Sequence, residues 1–213
     1  MAEIIAGVDE AGVCPIAGPV VAAAVILNPE RGIYKLKDSK LLSPKQREDL
    51  YEKITERALA FSVGLATVEE IDDLNIFHAT MLAMARAIKG LTLHPSLVLI
   101  DGRSAPKIEY TMKPIVGGDR TVKIISAASI IAKVTRDQMM RDYHVQFPKY
   151  NFAKHKGYPT KEHQGLLSQF GACPIHRRSF ARVKDVIARD GIANTLVAPE
   201  NAPSNVIEKK DAL

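Results

Sequence analysis

The apolar positions of this chain fall into two kinds of run. IIAGVD (residues 4–9) and PVVAAAVIL (residues 19–27) are continuous in apolar character, the pattern of strands covered on both faces. AFSVGLA (residues 60–66) reads as a third strand, and LVLIDG (residues 97–102) as a buried strand that delivers Asp101 at its C-terminal end. A further strand is expected from about Lys113 to Val116. Between these runs the spacing turns helical. SPKQREDLYEKI opens a helix with Ser43 as N-cap, Pro44 at the first helical position and Gln46 completing a capping box. Thr67 with Glu70 forms a second capping box before a short helix, and ATMLAMARAIKG is a longer helix ended by Gly90. From Ile124 to Phe147 the residues Ile124, Ala128, Ile131 and Val134 keep a helical period.

Helices alternating with strands predict an α/β sheet. The first strands, joined by short turns, suggest an antiparallel meander inside a mixed sheet. A chain of 213 residues favours one domain. Beyond Gly191 the pattern is lost in a run of Pro, Asn and Ala, so residues 191–213 are expected to be a mobile tail.

Composition narrows the class. Hydrophobic residues make up 46% and charged residues 25%, which suits a globular protein rather than a disordered one. No apolar run approaches the roughly 18 residues that span a bilayer, and the N-terminus lacks a signal-like pattern, so a cytoplasmic location without membrane contact is expected. Cys14 and Cys173 form neither a disulfide framework nor a zinc-ligand pattern, and reduced thiols follow. The net charge is +5; residues from Val183 onward carry −1, leaving +6 on the body, a modest excess compatible with a polyanionic partner.

Candidate chemistry lies at the strand ends. Asp9 and Glu10 close one apolar run, Asp101 closes another, and Asp119 follows KPIV. Any one of these acids is explained by the preference of Asp for turns. Together, at neighbouring strand ends, they would repel one another unless cations sat between them, and hard oxygen ligands suit Mg²⁺ or Mn²⁺. Two such ions roughly 4 Å apart can stabilise both the attacking and the leaving oxygen of a phosphodiester displacement.

GVDEAG, AGPVVAAAVIL, the DSK of KDSKLLS, LNIFHATMLAM, LIDG, GGD followed by ISAASIIAKVTRD, and HKGYPT through HRRSF occur in that order from about Ile4 to Val183. Together they resemble bacterial ribonuclease HII. The resemblance implies a ribonuclease H-like fold: a five-stranded mixed sheet flanked by helices, with a small helical C-terminal region at about residues 145–190 that helps to grip the duplex. Residues 1–190 then form the catalytic domain. It implies an endonuclease that hydrolyses the RNA strand of RNA/DNA hybrids and cuts 5′ to a single ribonucleotide in duplex DNA, leaving a 3′-hydroxyl and a 5′-phosphate. Asp9, Glu10, Asp101 and Asp119 would be the catalytic, metal-binding carboxylates, with a monomer expected. Tyr158 matches a family tyrosine that packs on the ribose near the scissile bond. Ser39, Lys40, Asn75 and Lys156 are candidates for phosphate contacts. His78, His155 and His176 are read as structural or phosphate-proximal groups, not metal ligands.

The chain departs from the family in one place. The acidic pair is usually followed by Gly-Arg-Gly or Gly-Lys-Gly, whose backbone recognises the ribonucleotide 2′-hydroxyl; here Gly12, Val13 and Cys14 stand there. Losing the cation removes a phosphate partner, and a Cβ at the third position obstructs close backbone approach or strains a positive φ. Metal chemistry and ribonucleotide recognition are therefore separable. The competing reading is a catalytically impaired nucleic-acid-binding homologue, and a third is another ribonuclease H-like nuclease such as a junction resolvase.

Overall fold

A computed structural model of the chain describes residues 3–33, 36 and 42–190. Ser39, Lys40 and the segment 191–213 lie outside the described residues.

The apolar runs become a single five-stranded sheet in the order β3-β2-β1-β4-β5. Its strands are β1 (Ile5–Ala11), β2 (Val20–Ile26), β3 (Ala60–Ala66), β4 (Leu97–Asp101) and β5 (Met112–Ile115). β1, β2 and β3 are antiparallel neighbours, while β1 and β4, and β4 and β5, pair in parallel. The sheet is mixed, as the alternation predicts. The step from β2 to β3 is no tight turn, since it carries α1 (Pro44–Arg57). Every residue of β2 and β3 is buried, which explains why both read as unbroken apolar runs.

Two helical layers cover the sheet. On one face α2 (Val68–Lys89) packs Ala79, Ala83, Met84 and Ile88 against Val8, Ala22, Val98 and Ile100. On the other, α1 and α4 (Lys123–Gln146) pack Ile54, Ala127, Ala128 and Ile131 against Val21, Ala23 and Val63. Gly7 in β1 lies directly under α4, where a Cβ would collide with the backbone of Ile124. That contact seats α4 on the strand carrying the acidic pair.

Both capping boxes form as the sequence predicts, at Ser43 with Gln46 and at Thr67 with Glu70. The short and the long helix after Thr67 prove to be two segments of α2 joined at Asn75, which has φ 68°. The Asn75 side chain accepts from the amides of Phe77 (3.0 Å) and His78 (3.2 Å), so it caps the second segment at a kink. After β5 come α3 (Gly118–Thr121), α4, a 3₁₀ turn (Pro148–Tyr150), α5 (Phe152–His155), α6 (Lys161–Phe170) and α7 (Ala181–Asp190). The last elements form a small helical region around Phe152, Tyr150, Cys173 and Ile175.

Candidate active site

β1 and β4 run parallel with Val8 opposite Ile100, so the next residue of each strand, Asp9 and Asp101, emerges at the same sheet edge. β5 continues into Gly117 and Gly118, which turn the chain so that Asp119, at the start of α3, returns to that edge. The Asp119 amide donates to Asp101 Oδ1 (3.2 Å), and Ser126 of α4 donates to the Asp119 carbonyl (2.6 Å). One carboxylate oxygen from each of Asp9, Asp101 and Asp119 lies within 4.8 Å of the others.

Glu10 is not in that group. It follows Asp9 on β1, and its charge acts on the Asp9 carboxyl more strongly than that of Asp101. Asp9 is 4% exposed, and its carboxyl is held well above the usual range by burial first and then by the charge of Glu10. Asp101 adds to this, whereas hydrogen bonds from Ser129 and from the Glu10 amide (2.8 Å) oppose it. Such a cluster fits divalent cations by its donor set: hard oxygens, mutually repelling, partly exposed at Asp101.

The turn after β1 is built by two arginines that composition and charge did not single out. Arg177 is fully buried and donates to the carbonyls of Gly12, Val13 (2.9 Å), Pro15 (2.7 Å) and Gly18 (2.9 Å). Arg136 donates to Pro19 (3.0 Å), Ala17 (3.1 Å) and Lys156 (3.0 Å). Burial lowers both guanidinium pKa values, to about 9 for Arg177 and about 10 for Arg136, so each stays charged at neutral pH. Gly12 has φ 103°, and a Cβ there would strike the Arg136 guanidinium. Val13 and Cys14 are not in the left-handed region, so neither side chain strains this turn. Val13 is half-buried against the core under α2, and Cys14 is exposed. One signal for Arg136 was legible: it occupies the stripe of Ala128, Ala132 and Met140, all fully buried on α4.

The other sequence candidates divide. Tyr158 is 39% exposed, with the Lys133 ammonium 5.8 Å from its ring centre. Lys156 has φ 52°, and its ammonium donates to the Ala153 carbonyl. Asn75 is exposed on α2 with its oxygen committed to the kink, and His78 is exposed beside it. His155 and His176 are buried with His163. The Cys173 amide donates to His176 Nδ1 (3.0 Å), so His176 Nε2 carries the proton and donates to His163 Nε2 (3.1 Å). His163 Nδ1 then donates to the Tyr158 carbonyl (2.9 Å). The chain of bonds closes only with both rings neutral.

Burial, the largest cause, pushes His163 down to about 4 and His176 to about 3. Between pH 6.5 and 4 the unfolded chain therefore takes up protons that the folded chain does not, and stability falls as pH falls. Each ring contributes about 1.4 kcal/mol per pH unit, or about 2 kcal/mol at pH 5. Urea unfolding of the wild type and His163→Gln between pH 7 and 5 measures this, because the carboxylates cancel in the difference. A shallower pH slope is expected in the variant, and parallel profiles would remove the assignment.

A mixed sheet in this order, helices on both faces, and acids converging at the ends of β1 and β4 define a ribonuclease H-like protein. The ribonuclease HII family model matches residues 6–183, and the chain belongs to that family. It is 57% identical over 183 residues to ribonuclease HII of Burkholderia pseudomallei strain 668, covering 86% of each chain. With ribonuclease HII of Cupriavidus necator it shares 55% over 186 residues, covering 86% of this chain and 78% of the relative. The crystal structure of ribonuclease H2 from Pyrococcus horikoshii superposes with a TM-score of 0.68 at 30% identity, covering 87% of this chain and 97% of the other. The chain is accordingly a ribonuclease H enzyme. Among the described residues, no helix is long and apolar enough to cross a membrane.

Proposed function

We propose that this enzyme hydrolyses the RNA strand of RNA/DNA hybrids and cuts 5′ to a single ribonucleotide in duplex DNA, leaving a 3′-hydroxyl and a 5′-phosphate. The observation that carries the reading is the convergence of Asp9, Asp101 and Asp119 oxygens within 4.8 Å at the sheet edge. These three would hold Mg²⁺ or Mn²⁺, with Glu10 completing the negative charge around them. Bound there, the ions supply positive charge to both the attacking and the leaving oxygen of the displacement. Ser129 and the Glu10 amide orient Asp9, and Ser126 holds Asp119 through its backbone. Tyr158 presents an exposed ring to the ribose, and His163 fixes its carbonyl. A duplex-binding homologue without catalysis would gain nothing from buried, mutually repelling carboxylates facing a phosphate backbone.

The turn Gly12–Val13–Cys14 recognises the ribonucleotide in this reading. Its Gly12 and Val13 carbonyls are turned inward to Arg177, so the N–H groups are what it offers a ligand. What it lacks is a cation. Val13→Arg with Cys14→Gly is expected to raise kcat/KM on a single embedded ribonucleotide more than on a continuous hybrid. A lone ribonucleotide offers one register, whereas a hybrid offers many equivalent sites. One charge-assisted contact is worth roughly 1.5 to 3 kcal/mol, or about ten- to a hundredfold. Cleavage of the two labelled duplexes by both proteins, with Mg²⁺, Mn²⁺ or EDTA, gives the ratio. An unchanged ratio would mean that this turn does not set specificity, and cleavage of neither duplex would reject the function.

A further inference from the structure

Beyond the carboxylates, α4 carries a second cluster of charge. Ser129, beside Asp9, is followed at four-residue intervals by Lys133, Asp137 and Arg141, so one face of the helix leads away from the acidic site. Lys133, Asp137 and Arg141 form one wall of a cleft of 420 Å³, closed on the other sides by the start of α1 and by α5, with Tyr158 at its margin. Five cations line it: Arg47, Lys133, Arg141, Lys154 and Lys156. Two carboxylates oppose them, Glu48 and Asp137. Lys133 bonds Asp137 at 2.6 Å, Arg141 approaches Glu48 at 3.5 Å and Lys154 pairs with Glu162 at 2.7 Å, and cations still outnumber carboxylates in the lining.

The excess is crowded. Burial lowers the pKa of Lys133, and after the opposing pull of Asp137 the charges of Arg136 and Arg47 lower it further. Lys156 is lowered by burial first, then against Asp137 by Arg141, Lys133 and Arg136. Cations gathered in a concave, partly desolvated site repel one another until an anion enters, the converse of the carboxylate cluster. The scale also fits. From Lys133 to Arg141 the helix rises about 12 Å, roughly the axial length of three to four nucleotides of one strand.

We propose that this cleft binds backbone phosphodiesters of the duplex, on the strand continuing from the ribose at Tyr158, with Lys133 and Arg141 as phosphate ligands. The assignment rests on the function proposed above. Because the contacts are to phosphates, they supply affinity and register without reading sequence.

Binding of a continuous RNA/DNA hybrid in EDTA, followed by fluorescence anisotropy from about 50 to 300 mM salt, tests this. Lys133→Gln and Arg141→Gln are each expected to reduce the slope of log K against log salt by about 0.7 to 0.9, weakening binding about five- to eightfold at 0.1 M. Lys133→Arg keeps the wild-type slope. Arg31→Gln removes an equal charge outside the cleft, where Arg31 pairs with Glu56 (3.1 Å), and leaves the slope unaltered. If Lys133→Gln fails to fold, the half-exposed Arg141→Gln decides. An unchanged slope in a variant whose wild type binds and cleaves the hybrid overturns the cleft alone, as does an equal fall in Arg31→Gln. A wild type that neither binds nor cleaves overturns the functional reading and the cleft with it.

Discussion

Asp9→Asn and Asp101→Asn are each expected to lower hybrid cleavage by about a hundredfold or more with the fold intact. Both replace an anionic oxygen that converges with two others inside 4.8 Å. Asn is nearly isosteric, so Asp9→Asn keeps the oxygen that accepts the Glu10 amide. It also removes a buried charge that Glu10 and Asp101 oppose. Without divalent ions at neutral pH, the Asp9→Asn protein should therefore melt at or above the wild-type temperature while losing activity. Labelled-hybrid cleavage in Mg²⁺ and EDTA, with circular dichroism melts of each variant, reads both. Wild-type rates in the variants, or full activity in EDTA, would remove the metal assignment.

Arg177→Ala should produce the largest loss of stability, about 3 to 5 kcal/mol, or roughly 6 to 20 °C in Tm for a chain of this size. Its guanidinium satisfies carbonyls from Gly12 to Pro19 across a separation of some 160 residues, at a site of 0% exposure. Removing it takes the guanidinium from the carbonyls of Gly12, Val13, Pro15 and Gly18, Pro19 keeping its bond from Arg136, and it frees the turn that follows the acidic pair. Arg177→Lys should recover only part of the loss, since a single ammonium with three donors cannot reach carbonyls spread around a planar fork. Thermal melts give the comparison. An Arg177→Ala protein melting within about 2 °C of wild type would show that the turn holds its shape without the clamp.

The amino-acid order alone determined what depends on near neighbours. Unbroken apolar runs made β2 and β3, because strands buried on both faces show no alternation. Ser43 with Gln46 and Thr67 with Glu70 set the starts of α1 and α2, since a capping box is closed within four residues. Asp9, Asp101 and Asp119 were legible as acids at strand ends, and the family motifs were legible as an ordered set.

The tertiary structure decided everything that depends on which strands are neighbours and which way side chains face. Parallel pairing of β1 with β4 brought Asp9 to Asp101 across more than ninety residues, and the turn after β5 added Asp119 to the same edge. Burial made Arg136 and Arg177 scaffolding for a turn instead of surface charge, and it forced His163 and His176 to stay neutral in a bond leading to Tyr158. Arg136 could be read from its place in an apolar helical stripe, but Arg177, His163 and His176 carry no such local signature. Only the packing around such a residue fixes its dielectric surroundings and its partners, and with them its role.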